Sequence, residues 1–245
     1  MNLHRFFVSA SIFTPEKTFV LQGEFGHQLS RVLRLAPCAT VVLLDGMGRE
    51  YLAELTHFDR NGTVTGRVIE ERLATNEPRT QVTLFQALLK GERFDYVLQK
   101  GTEIGVSAFV PVLTERVIGG SSPVKMERWR KIVREAAEQS RRGLLPSVVE
   151  PLPFGQALKL MPEESLKLMA WEEEKISSLR KVLRTTPPPT SVSLLVGPEG
   201  GFSPAEAAEA TLAGIQTISL GSRILRAETA GPTATALILY ELGDI

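Results

Sequence analysis

Leu194-Leu195-Val196-Gly197-Pro198-Glu199-Gly200-Gly201-Phe202-Ser203-Pro204 reads as a buried strand running into a glycine-rich bend and then into a helix. Ser203 suits an N-cap, because its hydroxyl can accept from a first-turn N–H; Pro204 suits the first helical position, where no N–H is needed. Glycines at the carboxyl end of a strand let a ligand approach the backbone closely, and in open α/β sheets ligands bind at that end. A tight strand-to-helix turn explains the same residues, so this stretch alone leaves both readings open.

A second strand ends in Ser219-Leu220-Gly221-Ser222-Arg223-Ile224-Leu225-Arg226-Ala227-Glu228-Thr229-Ala230-Gly231. Glu228 in a first helical turn is favoured by the helix dipole, which is a sufficient capping role for it. Arg223 and Arg226 oppose that dipole, and two guanidinium groups there point to an anionic partner. Around these two bends the chain alternates. Strands are predicted at Val82–Phe85, Ala108–Val112, Leu166–Ala170, Ser193–Val196 and Thr217–Leu220. Helices are predicted at Phe94–Ile104, Met126–Arg142, Pro204–Ala213 and Glu228–Leu242. Strand–helix alternation predicts an α/β layer with a mostly parallel sheet.

Upstream the pattern differs. Phe6–Phe13 reads as a buried first strand, and Val41–Leu44, Tyr51–Leu55 and Val64–Val68 as strands joined at Asp45-Gly46 and Asn61-Gly62, residues that tolerate positive φ. One short helix, Gly26–Leu35, interrupts them, and the whole resembles a small barrel. The polar Thr75-Asn76-Glu77-Pro78 marks a boundary, giving a β-rich domain over 1–75 and an α/β domain over 76–245.

Composition narrows the function. The chain has 245 residues, 43% hydrophobic and 23% charged, with 28 basic and 28 acidic side chains and no net charge. That is ordinary globular composition, and it excludes a uniformly basic coat; nucleic acid could be met only by a local patch. One cysteine, Cys38, excludes an intramolecular disulfide framework and cysteine-rich zinc sites. His4, His27 and His57 show no metal-ligand spacing, so no metal site is expected. No apolar run is long enough to span a membrane, and no targeting segment is read, which leaves the cytoplasm as the default location. Residues 125–142 hold seven basic and three acidic side chains. A solvated helix face and a phosphate contact both fit this stripe.

Taken together, the segments resemble the bacterial 16S rRNA (uracil-N3)-methyltransferases of the SPOUT superfamily over nearly the whole chain. The likeness rests on His4–Val8, His27–Leu35 and Asp45-Gly46 with Gly48. Further along it rests on Lys90-Gly91-Glu92-Arg93, Gln99-Lys100, Glu103–Val106, Glu115-Arg116, Trp129, Lys131-Ile132 and Glu138-Gln139-Ser140 with Arg142 and Pro146. The most specific pieces are Gly197–Gly201 and Leu220–Ala230. Two departures stand out: Arg141 sits where a glycine is expected, and Ala36-Pro37-Cys38 replaces a glycine-containing turn.

The resemblance implies an N-terminal PUA-like β-barrel, a C-terminal SPOUT α/β domain with a deep trefoil knot, a homodimer and S-adenosylmethionine as methyl donor. It implies a donor pocket of Ala170, Trp171, Val196, Gly197, Pro198, Glu199, Gly200, Gly201, Ser219, Leu220, Gly221, Leu225, Arg226, Thr229 and Ala230. It implies 16S rRNA, within the small ribosomal subunit, as substrate, met by Arg5, Arg31, Arg34, Lys90, Arg93, Lys100, Arg116, Arg130, Arg134 and Arg142. Arg226 is the expected electrostatic catalyst. Glu228 is expected to orient an arginine or accept a proton. A SPOUT enzyme acting on another RNA and a noncatalytic RNA-binding dimer are the competing readings.

Overall fold

A computed structural model describes residues 3–59, 61–117 and 126–245. The chain divides into two compact units. One comprises Met1–Glu77 with Ala137–Leu145, the other Pro78–Ala136 with Pro146–Ile245. The segment Ala137–Leu145, which follows the boundary read from sequence, thus belongs with the first unit.

The first unit is a five-stranded sheet ordered β1-β3-β4-β5-β2, with β1 Arg5–Phe7, β2 Thr18–Leu21, β3 Thr40–Leu44, β4 Arg49–Phe58 and β5 Val64–Leu73. β1 pairs parallel with β3 and the other pairs are antiparallel. The Asp45–Gly48 and Asp59–Thr63 turns close the two hairpins as read. The first strand is shorter than predicted: it stops at Phe7, and Ala10–Ile12 form a 3₁₀ turn capped by the Ser9 hydroxyl, with Ser9, Ala10 and Ser11 exposed. The predicted helix Gly26–Leu35 is instead a short α1 (Glu24–His27) that widens into a π turn over Gln28–Val32. Gly26 lies so close to the Gly62 carbonyl that a Cβ would come within 1.7 Å of it, which fixes where the helix sits. Strand β2 was not read, although its exposure alternates about Phe19 and Leu21, both buried.

The second unit is a parallel sheet ordered β12-β10-β11-β6-β7-β8, with β9 also on β7. Its strands are β6 Gln81–Ala87, β7 Val106–Leu113, β8 Ser147–Val148, β9 Leu152–Pro153, β10 Leu166–Ala170, β11 Ser191–Val196 and β12 Gln216–Ile218. Its helices are α2 Arg93–Ile104, α3 Met126–Gln139 (whose last residues belong to the first unit), α4 Phe154–Leu160, α5 Leu179–Thr185, α6 Pro204–Leu212 and α7 Ala227–Glu241. Successive strand residues face opposite sides of the sheet. Phe85, Met169 and Leu195 pack with Phe154 and Ala157 of α4 and with Ala207 and Ala210 of α6. On the other face Gly231 of α7 brings its backbone against Leu84 and Gln86. The strands β8 and β9 and the helices α4 and α5 were not read from sequence; each is shorter than the windows in which periodicity is legible.

Helix α3 ends at Gln139, three residues before the predicted end. The Arg142 N–H reaches the Ala137 carbonyl at 2.9 Å and the Arg141 N–H reaches that of Glu138 at 3.4 Å. These are the two bonds of a Schellman C-cap, whose C′ residue adopts the left-handed conformation. Here that residue is Arg141, at φ +63°. The second departure behaves alike: Cys38 sits at φ +70°. Each of the two departing segments thus contains one residue in a left-handed conformation.

Candidate functional site

The register of the parallel sheet builds the site. Ala170 pairs with both Val196 and Ile218, so β10, β11 and β12 end at one level and their following loops leave from one edge. Those loops line a single cleft of about 870 Å³. They are stitched together by backbone bonds: the Trp171 N–H donates to Ile218, the Leu179 N–H to Ser219, and the Ser219 N–H to Ser177. Ser203 caps α6 as read. Its hydroxyl accepts from the Glu206 N–H at 3.2 Å, and the Glu206 carboxylate accepts from the Ser203 N–H at 2.9 Å, a reciprocal capping box. Gly201 at φ +68° and Gly221 at φ +117° turn the two bends through backbone conformations that a side chain resists.

Of the fifteen residues expected around the donor, fourteen line this cleft; Thr229 instead lines a neighbouring pocket of about 840 Å³. The cleft also takes in Arg93, Glu172, Lys175, Ser222, Arg223, Ile224, Ala227 and Glu228. Arg93, expected to meet RNA, joins the two bends. Its Nη1 donates to Glu199 Oε1 at 2.8 Å, and its Nε lies 3.9 Å from Glu228 Oε1. Burial pushes the Glu199 carboxyl upward, but hydrogen bonds from backbone N–H groups, including that of Lys90, and the Arg93 guanidinium outweigh it, so Glu199 lies below the ordinary range. Glu199 is therefore a carboxylate near neutral pH.

Three buried polar atoms of the cleft have no partner among the described residues: the Trp171 indole Nε1, Glu199 Oε2 and Glu228 Oε2. A buried donor or acceptor left unmatched is costly, so one donor and two acceptors here await a ligand carrying hydroxyl, amine or ring-nitrogen groups. Gln86, wholly buried at the end of β6, was not singled out from sequence. Its Nε2 donates to the Gly197 carbonyl at 3.3 Å and braces the first bend from behind. A glutamine set between Phe85 and Ala87 in the apolar end of β6 was the available signal.

Arg226 is the N-cap residue of α7. It is exposed, and its guanidinium has no hydrogen-bond or ion-pair partner among the described residues.

The other cations expected at RNA divide sharply. Arg31, Arg34, Lys90, Arg130 and Arg134 are exposed. Arg5 is not: it is buried in an ion pair with Glu50, itself 4% exposed. Arg142 is 4% exposed and pairs with Glu77 at 2.7 Å, because the left-handed turn at Arg141 swings it inward. Neither Arg5 nor Arg142 offers its charge to a phosphate, which corrects both expectations. Lys100 pairs with Glu103 at 2.8 Å. Arg116 is exposed, but its Nη1 donates to the carbonyls of Gly200 at 3.1 Å and Phe202 at 3.3 Å; it splints the bend. Lys125, the first residue of the basic stripe, lies outside the described residues. Among the described residues no cluster of metal-ligating side chains occurs, and no helix is long and apolar enough to cross a membrane.

A family model described as an RNA methyltransferase domain matches residues 75–239. The ribosomal RNA small subunit methyltransferase E of Synechocystis sp. is 40% identical over 224 residues, 91% of this chain and 73% of that protein. The Bacillus subtilis protein of the same name is 33% identical over 232 residues, 91% of this chain and 90% of that protein. Among solved structures, the ribosomal RNA small subunit methyltransferase E from Neisseria gonorrhoeae bound to S-adenosyl methionine is 33% identical, with a TM-score of 0.87 and 96% of each chain covered.

Proposed function

Because the chain belongs to the ribosomal RNA small subunit methyltransferase E family of RNA methyltransferases, we propose that it transfers a methyl group from S-adenosylmethionine to N3 of a uridine in 16S rRNA. The observation that carries this reading is the convergence of the loops after β10, β11 and β12 on one cleft with unmatched buried polar atoms. The Trp171 indole N–H, the Glu199 carboxylate and the backbone of Gly197–Gly201 and Ser219–Gly221 would hold the donor. When bound, S-adenosylmethionine supplies a methyl group activated by a sulfonium.

The acceptor sets the remaining demand. N3 of neutral uracil is a poor nucleophile, because its lone pair becomes available only as the N3 proton leaves, and negative charge then spreads onto the ring oxygens. A fixed cation beside those oxygens stabilises that charge in a site sheltered from water. Arg226, whose guanidinium is uncommitted, has that role. Glu228 engages Arg93 through one oxygen and leaves the other without a partner, so it both orients Arg93 and can accept the N3 proton.

The reading extends to the rest of the chain. The five-stranded first unit serves as a PUA-like barrel that places the rRNA, with Arg31 and Arg34 exposed on it; Arg130 and Arg134 contribute phosphate contacts from α3. The second unit forms a trefoil knot, for which the departure of three loops from one sheet edge is the support. The protein acts as a homodimer in the cytoplasm, on rRNA within the small subunit.

Calorimetry with S-adenosylmethionine, followed by mass mapping of 16S rRNA from a deletion strain, tests the proposal. Donor binding with loss of one methyl-uridine supports it. Absence of donor binding leaves a noncatalytic RNA-binding dimer, and an unchanged 16S rRNA with a methyl group missing elsewhere leaves a different RNA substrate.

A further inference from the structure

The donor cleft has a neighbour. A second pocket, of about 840 Å³, shares Arg93, Arg226 and Glu228 with it, so the two adjoin at these three side chains. The far side of the second pocket is built on α2, where Tyr96 and Gln99 lie three residues apart and therefore on one helix face. Tyr96 is 48% exposed and Gln99 is exposed. The Tyr96 ring is thus open to the pocket and to solvent. Next to it the cations differ in their commitments: Arg128 is engaged by Asp95 at 2.6 Å, whereas Arg226 has no partner among the described residues. The pocket thus offers an aromatic ring, a primary amide and one uncommitted guanidinium beside the charged Lys90, Glu92 and Asp95, with Glu228, one oxygen of which lacks a donor, where it adjoins the cleft.

We infer that this second pocket is the acceptor subsite, taking a single unstacked pyrimidine base of the RNA, with Tyr96 as the stacking platform and Gln99 as the reader of a ring carbonyl. The inference rests on the methyltransferase reading above and adds where the base sits. Aromatic side chains stack readily on unpaired bases, and enzymes that modify a base inside a folded nucleic acid take it out of its stack. A Gln99 amide N–H donated to a uracil oxygen would fix the ring orientation. Arg226 and Glu228, which line both pockets, then flank the junction at which N3 of the base reaches the donor methyl group directly.

The test uses the full-length protein and a 16S rRNA fragment carrying 5-iodouridine, irradiated in the presence of S-adenosylhomocysteine, with the crosslinked peptide identified by mass spectrometry. Crosslinking in the Phe94–Lys100 peptide is expected, and Tyr96→Ala abolishes it. In turnover, Tyr96→Ala raises KM for the RNA by roughly 5- to 100-fold, the loss of one base-on-aromatic contact. Tyr96→Phe stays within about twofold, and calorimetry gives both variants an unaltered donor affinity. Gln99→Ala retains the crosslink and raises KM. Crosslinks confined to other peptides, or an equal KM for Tyr96→Ala and Tyr96→Phe, overturn the subsite while leaving the donor reading intact. An unaltered protein that binds no S-adenosylmethionine overturns both.

Discussion

Two arginines of the first unit and two of the cleft look alike in sequence and do opposite things. Arg5 and Arg142 are buried against Glu50 and Glu77, and their charge is consumed inside the fold. Arg223 and Arg226 stand exposed at the rim of the cleft with no partner among the described residues. Arg93 lies between these extremes, half-exposed yet tied to Glu199. A cation becomes available to a substrate only where the fold brings no carboxylate to it. The carboxylates that decide this are 45 and 65 residues away for Arg5 and Arg142.

The contrast is broken most severely at Glu77. Besides Arg142, it accepts from the N–H groups of Gly143 at 2.9 Å and Leu144 at 3.0 Å. Glu77→Ala removes this carboxylate from a buried guanidinium and from two backbone N–H groups, and is expected to lower unfolding stability by about 3–5 kcal/mol, measured by denaturant titration. A loss below about 1 kcal/mol would show that the pair is no more than a solvated contact. Arg226→Ala is the converse case, since no side-chain hydrogen bond or ion pair among the described residues is lost. Its thermal midpoint should match the unaltered protein, while turnover at saturating donor falls by about 10²- to 10³-fold, the usual cost of removing a group that stabilises developing negative charge. Full turnover in a well-folded Arg226→Ala protein would remove that role.

A smaller effect sharpens the intermediate case. The Glu199 carboxyl is depressed in the folded state, so its stabilising contribution is fully present above the ordinary glutamate value of about 4.3. It declines as pH falls from there and is gone below the folded value. The stability difference between the protein and Glu199→Gln should be constant from about pH 8 to 5 and shrink only in more acid solution. A difference that already fades between pH 7 and 5 would contradict the depressed value. The smallest effect is at Arg141. Glycine accepts the left-handed conformation without the steric cost that arginine bears, though it loses more freedom on folding. Arg141→Gly is expected to raise stability by up to about 1 kcal/mol in thermal melts; a destabilised variant would mean that the arginine side chain contributes more than its backbone strain removes.

Much of the site was legible in advance because its signals are local. A strand, a glycine-rich bend, a serine and a proline in that order specify a strand-to-helix transition whatever surrounds them, and Ser203 and Pro204 cap α6 as expected. What misled was the assignment of arginines by type. Arg116 and Arg93 brace the donor bends, through partners 84 and 106 residues distant, and nothing near them in sequence announces those partners. Gln86 was missed for the same reason: its target, the Gly197 carbonyl, is 111 residues away. The departures at Ala36-Pro37-Cys38 and at Arg141 were visible, but only the φ angles show that Cys38 and Arg141 each leave a side chain in a left-handed turn.

The chain by itself determined most of its strands, its hairpin turns, the two bends and the cap of α6, because propensity, turn chemistry and capping act over a few residues. Tertiary structure alone decided that Ala170, Val196 and Ile218 end at one level, that fourteen residues meet in one cleft, and which cations remain open to a ligand. Those outcomes depend on sheet register and on charge pairing across the fold, and both are set by packing between segments that the sequence keeps far apart.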